Sequence, residues 1–166
     1  VSLVGLQASE VVGIQSALRR IGSVDRGLRT QLSRKFRQSG EPLRQSALAF
    51  VPSSAPMSGW KTGRYKWDGA RQGVRIKFST KTDRSGSIRL LTLQQKNAAG
   101  AIYDIAGRAS AGNTPQGQNM IRVLNERYGA ASRSMWKGAE AALPEIEQLV
   151  SDAVDELAAT VERLGL

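Results

Sequence analysis

The stretch LPEIEQLVSDAVDELAATVERL, residues 143–164, decides how the C-terminal part of the chain folds. Leu143, Ile146, Val150, Val154, Leu157, Val161 and Leu164 cover 21 residues in six steps, a mean of 3.5. That spacing keeps all seven apolar side chains on one face of a helix. Pro144 fits the first turn of such a helix, where its missing N–H costs little, and Glu145 and Glu147 sit well at the positive end of the helix dipole. The sequence therefore predicts a long amphipathic helix over residues 142–166. Its single stripe is expected to pack on its own domain, with a coiled-coil partner as the alternative.

Before that helix, residues 94–141 read as short elements and loops. NAAGAIYDIAG, residues 97–107, holds the apolar block Ile102, Tyr103, Ile105 and Ala106, which fits either a third strand or a helical turn. Residues 108–118 are small, polar and glycine-bearing, and Met120, Ile121, Val123, Leu124 and Tyr128 outline a short helix. Residues 129–135 form a connector. From Gly73 to Thr80, Val74, Ile76 and Phe78 alternate with Arg75, Lys77 and Ser79, the period-two pattern of a half-buried strand. Ser87 to Leu93 is expected to pair with it across Asp83-Arg84-Ser85-Gly86, giving a β-hairpin over residues 74–93.

Residues 52–73 read as a long loop, with Pro52, Pro56, Gly59, Gly63, Gly69 and Gly73 interrupting any regular pattern. Residues 1–51 are helical. Val11, Ile14, Leu18, Ile21, Val24, Leu28, Leu32 and Phe36 recur in steps of three or four, and Leu43, Ala47, Phe50 and Val51 continue the stripe beyond Pro42. Proline there predicts a kink near Ser39-Gly40, and Ser23 or Asp25 is placed to cap a break near Gly22. The expectation is a long, bent helix ending before Pro52, with Arg26, Arg29, Arg34, Lys35 and Arg37 mostly off the stripe, toward water or a partner. Together these elements predict a single α+β domain spanning residues 1–166: long basic N-terminal helices, a small antiparallel sheet and a long C-terminal amphipathic helix.

The 166 residues include 24 Lys plus Arg against 14 Asp plus Glu, a net charge of +10, with no His and no Cys. Disulfides, thiolate metal sites and thiol nucleophiles are thereby excluded, and the commonest metal ligand and general base is missing. No P-loop is present, since Lys61-Thr62 follows Trp60 rather than glycine, and there is no GxGxxG turn or nucleophile elbow. Asp68, Asp83 and Asp104 stand as isolated acids. The expectation is therefore a protein that is not an enzyme and uses no cofactor, metal or small-molecule substrate. Val1 to Glu10 lacks the basic and apolar regions of a secretory signal, and no apolar run approaches the ~20 residues of a spanning helix, so a soluble chain without a membrane partner is expected.

Charge is unevenly distributed. Residues 1–90 carry 17 basic and 5 acidic side chains, whereas residues 91–166 carry 7 and 9. Such a split fits either a nucleic-acid surface in the first half or head-to-tail contact between copies. Between Lys61 and Lys96 ten basic residues face two acids. Lys61, Arg64, Lys66, Arg71, Arg75 and Lys77 are the candidates for contact with DNA or an acidic partner, and Trp60, Tyr65 and Trp67 are candidate inter-subunit loop aromatics. No RNA-recognition strand motif, KH loop, zinc finger or helix-turn-helix signature accompanies them, so any nucleic-acid contact is expected to ignore base sequence.

The order of basic amphipathic helix, kink at GEPLRQSA, proline-bearing exit VPSSAPMSGWKTGRYK, hairpin, AAGAIYDIAGR and the terminal helix from SMWKGAEAALPEIEQLVSDAVDEL resembles a tailed-phage neck protein. It is similar to the tail-completion, or minor tail protein Z-like, family of head-tail connector proteins over nearly everything after residue 15. The motifs that carry the resemblance are Thr62-Gly63 and Tyr103-Asp104-Ile105-Ala106-Gly107-Arg108, the latter lacking the family's usual Thr. The resemblance implies a structural subunit that forms a ring, sixfold, joining the head connector to the tail tube around the DNA passage. Its implied partners are further copies of itself, neighbouring phage connector and tail proteins and the passing phage DNA, and its implied place is the virion after synthesis in the host cytoplasm. The alternatives are a tail terminator capping the tube, a sequence-independent nucleic-acid-binding protein, and a module that docks its terminal helix on one partner.

Overall fold

The computed structural model describes residues 8–61, 65–81, 90–110 and 112–166, with side chains from residue 13 onward. In chain order the elements are α1 (Ala8–Val24), α2 (Arg26–Gln38), α3 (Glu41–Ala49), a 3-10 turn at Ser58–Trp60, β1 (Val74–Phe78), β2 (Leu91–Gln95), α4 (Ala98–Ile105), α5 (Pro115–Tyr128) and α6 (Met135–Arg163). The strands form a two-stranded antiparallel sheet, bracketed by Ser79 N–H donating to Leu90 O at 2.9 Å and Lys96 N–H donating to Gly73 O at 2.8 Å. The fold class is α+β, as the sequence predicts. The hairpin's turn and the start of the expected second strand, residues 82–89, lie outside the described residues; among the described residues β2 is Leu91–Gln95.

The described part of the first 51 residues forms three helices, the expected long helix being broken near both places the sequence marks. Asp25 ends α1 and caps α2: its backbone is extended (φ −142°, ψ 106°) and its Oδ1 accepts Leu28 N–H at 3.0 Å, satisfying one of the orphan donors of the new helix. The break interrupts the apolar stripe there, leaving Val24 62% exposed while Ile14, Leu18, Ile21, Leu32 and Phe36 stay buried. The second break falls at Ser39-Gly40, where a kink is expected. Pro42 lies in the first turn of α3, a position that needs no donor.

Of the two readings open for the 97–107 block, the helical one holds: it forms α4, whose cap Asn97 accepts Gly100 N–H at 2.9 Å. The terminal helix starts at Met135, seven residues before the expected 142, so Pro144 lies inside it rather than in its first turn. The sequence pattern missed the early start because Met135 to Ala142 is mostly small or polar and contributes little to the apolar stripe.

The chain divides into two compact units: Val1–Leu43 with Ile76–Thr92 and Ala142–Leu166, and Arg44–Arg75 with Leu93–Ala141. In the first, the buried apolar residues come from α1, α2, Leu43, Leu90, Leu91 and the Ile146, Val150, Ala153, Leu157 face of α6. Phe36 stacks on Phe78 with ring centroids 5.4 Å apart, and Lys35 is ion-paired with Glu156. The second unit is built round an aromatic row. Trp60 stacks on Trp67 at 5.6 Å, Trp67 meets Tyr103 edge-on at 5.5 Å, and Tyr103 meets Tyr128 edge-on at 5.4 Å. Gly138 of α6 lies so close to the backbone of Ala47 in α3 that a Cβ there would collide with it.

Candidate functional site

The second unit holds a polar centre that Tyr103, Asp104 and Arg133 build from two chain segments. Asp104 is 7% exposed, and its Oδ1 accepts Ser134 N–H at 2.7 Å, Ser134 Oγ–H at 2.8 Å and Met135 N–H at 3.0 Å. A carboxylate at this point satisfies the first free amides of α6 and complements the positive end of its dipole. Its backbone oxygen also accepts Ser132 N–H at 2.6 Å. That bond accompanies the left-handed conformation of Ser132 (φ 73°), uncommon for a residue with a Cβ.

Arg133, 1% exposed, donates to four oxygens: Tyr103 O at 2.6 Å, Ala106 O at 3.1 Å, Gly129 O at 2.8 Å and Asn125 Oδ1 at 2.6 Å. It thereby ties the ends of α4 and α5 to the start of α6. Burial pulls its guanidinium below the usual value, an effect opposed by Tyr103 and Asp104. The Tyr103 hydroxyl donates to Phe50 O at 3.0 Å, and its phenol is pushed up to about 12, first by burial and then by Tyr128, with Arg133 opposing and Asp104 adding. Among the described residues no buried side-chain N or O lacks a hydrogen-bond partner. The centre is therefore saturated with internal bonds and acts as a structural junction rather than a reactive cleft.

Three large apolar side chains emerge beside this junction. Phe50, whose carbonyl Tyr103 holds, is 39% exposed; Ile105, next to Asp104, is 53% exposed; Trp136, next to the tethered Met135, is 47% exposed. Each is thus fixed in backbone position by the buried pair while its side chain faces solvent. The sequence pattern places Ile105 in an apolar block and Asp104 among isolated acids, and it misses this link because the partners lie 30 to 53 residues away along the chain.

The residues singled out as candidate contacts are dispersed. Trp60 and Trp67 are 8% and 5% exposed, engaged with each other and, through Trp67 Nε1–H, with Pro52 O at 3.1 Å, so they fill the core of the unit and not a loop surface. Tyr65 remains 43% exposed. Arg71 is structural as well, because one guanidinium nitrogen donates to Leu48 O at 3.0 Å and Val51 O at 2.6 Å, bonding carbonyls in the last turn of α3 and just beyond it. Arg75 donates from Nε to Gln72 O at 3.3 Å, while Lys61, Lys66 and Lys77 are exposed. Arg64 lies outside the described residues.

Cationic groups converge elsewhere, on α2. Arg29, Thr30, Ser33, Arg34 and Arg37 line an open groove of about 230 Å³ in the first unit. The helix carries five basic residues, Arg26, Arg29, Arg34, Lys35 and Arg37, and no acid. Its Leu32 and Phe36 are buried and its Lys35 is paired with Glu156, so the arginines occupy a different strip of the helix surface. Gly22 of α1 gives room for one of them, since a Cβ there would lie 2.5 Å from Arg29 Cδ.

Among the described residues no cluster of three or more acidic side chains is placed to hold a metal ion, and no helix is long and apolar enough to cross a membrane. Comparison with protein-family models, with curated proteins and with solved structures gave no match.

Proposed function

We propose that this chain is a structural subunit of a tailed-phage head-tail junction, of the tail-completion or minor tail protein Z-like kind. In this reading copies associate into a ring, sixfold, that joins the head connector to the tail tube around the DNA and remains in the virion. The observation that carries it concerns the Tyr103-Asp104-Ile105-Ala106-Gly107-Arg108 stretch on which the family resemblance rests. Tyr103 and Asp104 form the junction that fixes the backbones around Phe50, Ile105 and Trp136, while those three side chains stay 39%, 53% and 47% exposed. Burying the exposed half of one such side chain against a neighbouring copy is favourable by roughly 0.7–1.5 kcal/mol, so three of them offer anchors for a protein contact. A repeated contact of this kind closes only if it is heterologous and its rotation returns to the first copy.

Multi-angle light scattering across protein concentration, at low and high salt, tests the reading. A discrete ring-sized mass is expected for the wild type, and an Ile105→Asp/Trp136→Ser variant with wild-type circular dichroism is expected to remain monomeric. A wild type that is monomeric at every concentration and salt, alone and with purified connector, would refute it.

A further inference from the structure

We infer that the arginine groove of α2 is a binding site for the phosphodiester backbone of duplex DNA. Arg26, Arg29, Arg34 and Arg37 recur along the helix with Thr30 and Ser33 between them, and the ladder runs about 16 Å at the helical rise. Duplex DNA presents a negative charge roughly every 1.7 Å along its axis, so this length faces several phosphates at once. Arginine matches a phosphate with two parallel N–H donors from a planar fork. The groove brings three such forks together; the Thr30 hydroxyl, which donates to Arg26 O at 2.9 Å, is used within the helix and leaves phosphate contact to the arginines.

Two features favour a polyphosphate over an acidic protein surface. The neighbouring carboxylate that does reach α2, that of Glu156, is taken by Lys35, while the groove arginines make no ion pair among the described residues. The basic strip also lacks aromatic groups on which bases would stack, which fits recognition of backbone rather than of base edges. The site does not require the ring proposed above, because one chain presents the whole groove.

The test is fluorescence anisotropy of labelled duplex DNAs of unrelated sequence, titrated with the full chain over a series of salt concentrations. The wild type is expected to bind them alike, and Arg29→Gln/Arg34→Gln/Arg37→Gln to weaken binding roughly tenfold or more at low salt. The slope of log K against log salt should fall by about 0.9 for each phosphate that is no longer neutralised, hence by about 2.7 for three. The control, Lys96→Gln/Arg127→Gln/Lys137→Gln, removes the same charge from exposed positions in the other unit and should change the slope little. A wild type that does not bind, or a control that loses as much as the groove variant, would overturn the assignment. So would a groove variant that keeps its DNA affinity but loses self-association at low salt, which would give the groove to the acidic face of α6 in a second copy. Duplex RNA serves as the other arm: tighter binding to it than to DNA would overturn the choice of DNA.

Discussion

Replacing Asp104 with alanine should destabilise the second unit by about 3 kcal/mol. The side chain accepts two backbone amides, Ser134 N–H at 2.7 Å and Met135 N–H at 3.0 Å, in a position only 7% exposed. Each buried donor left without an acceptor costs about 1–3 kcal/mol, and taking the lower end for both gives about 2. Loss of a carboxylate from the positive end of a helix adds about 1 kcal/mol, while the Ser134 hydroxyl can rotate toward another acceptor and adds little. Asp104→Asn keeps one acceptor oxygen and should lose only the charge, about 1 kcal/mol. Trp60, Trp67 and Trp136 all lie in the second unit, so tryptophan fluorescence during urea unfolding reads that unit directly. With a urea dependence of about 1–3 kcal/mol per molar, the alanine variant should unfold roughly 1–3 M earlier than the wild type. A midpoint indistinguishable from wild type, or an asparagine variant as weak as alanine, would show that Asp104 does not hold the start of α6.

Two more substitutions probe the same unit. Gly138→Ala should lower stability by about 1–2 kcal/mol, since a collision with the Ala47 backbone outweighs the gain in helix propensity of up to about 1 kcal/mol; a raised melting temperature would contradict the close approach of α3 and α6. Tyr103 makes stability fall at high pH: its phenol ionises near 10 when unfolded but at about 12 when folded, so above pH 10 the unfolded chain holds fewer protons and is favoured. Tyr103→Phe should unfold more easily at neutral pH, because the bond to Phe50 O is gone, yet lose less stability than wild type between pH 10 and 12. Parallel pH profiles for the two proteins would count against the burial of the phenol.

Local sequence signals carried most of the fold. The 3.5-residue stripe of the last helix, the alternation from Val74 to Phe78 and the break at Ser39-Gly40 depend on neighbours a few residues apart, and each appears where its spacing places it. Boundaries set by distant partners did not show. The start of α6 depends on Asp104, 30 residues upstream of Ser134, and no periodicity within the helix marks it. The candidate contact residues fared unevenly for the same reason. Basic and aromatic types between Lys61 and Lys77 looked alike in sequence, but tertiary partners divide them: Arg71 bonds the end of α3, Trp60 and Trp67 stack in the core, and Lys61, Lys66 and Lys77 stay in water. The α2 arginines were visible as residues off the apolar stripe, yet nothing in that pattern showed that three of them share one groove.

The junction around Tyr103 and Asp104 also bears on how the chain reaches its native state. Its bonds join residues 30 and 53 positions apart, so loop closure must precede any stabilisation they give. The turn at Asp25, by contrast, is bonded within three residues and forms early. Substitutions at Asp25 should therefore slow refolding, whereas those at Asp104 should mainly speed unfolding. Until the junction closes, Arg133 lacks the carbonyls of α4, and the amides of Ser134 and Met135 bond water instead of Asp104. The late, long-range step is thus also the one that commits the second unit to a single arrangement.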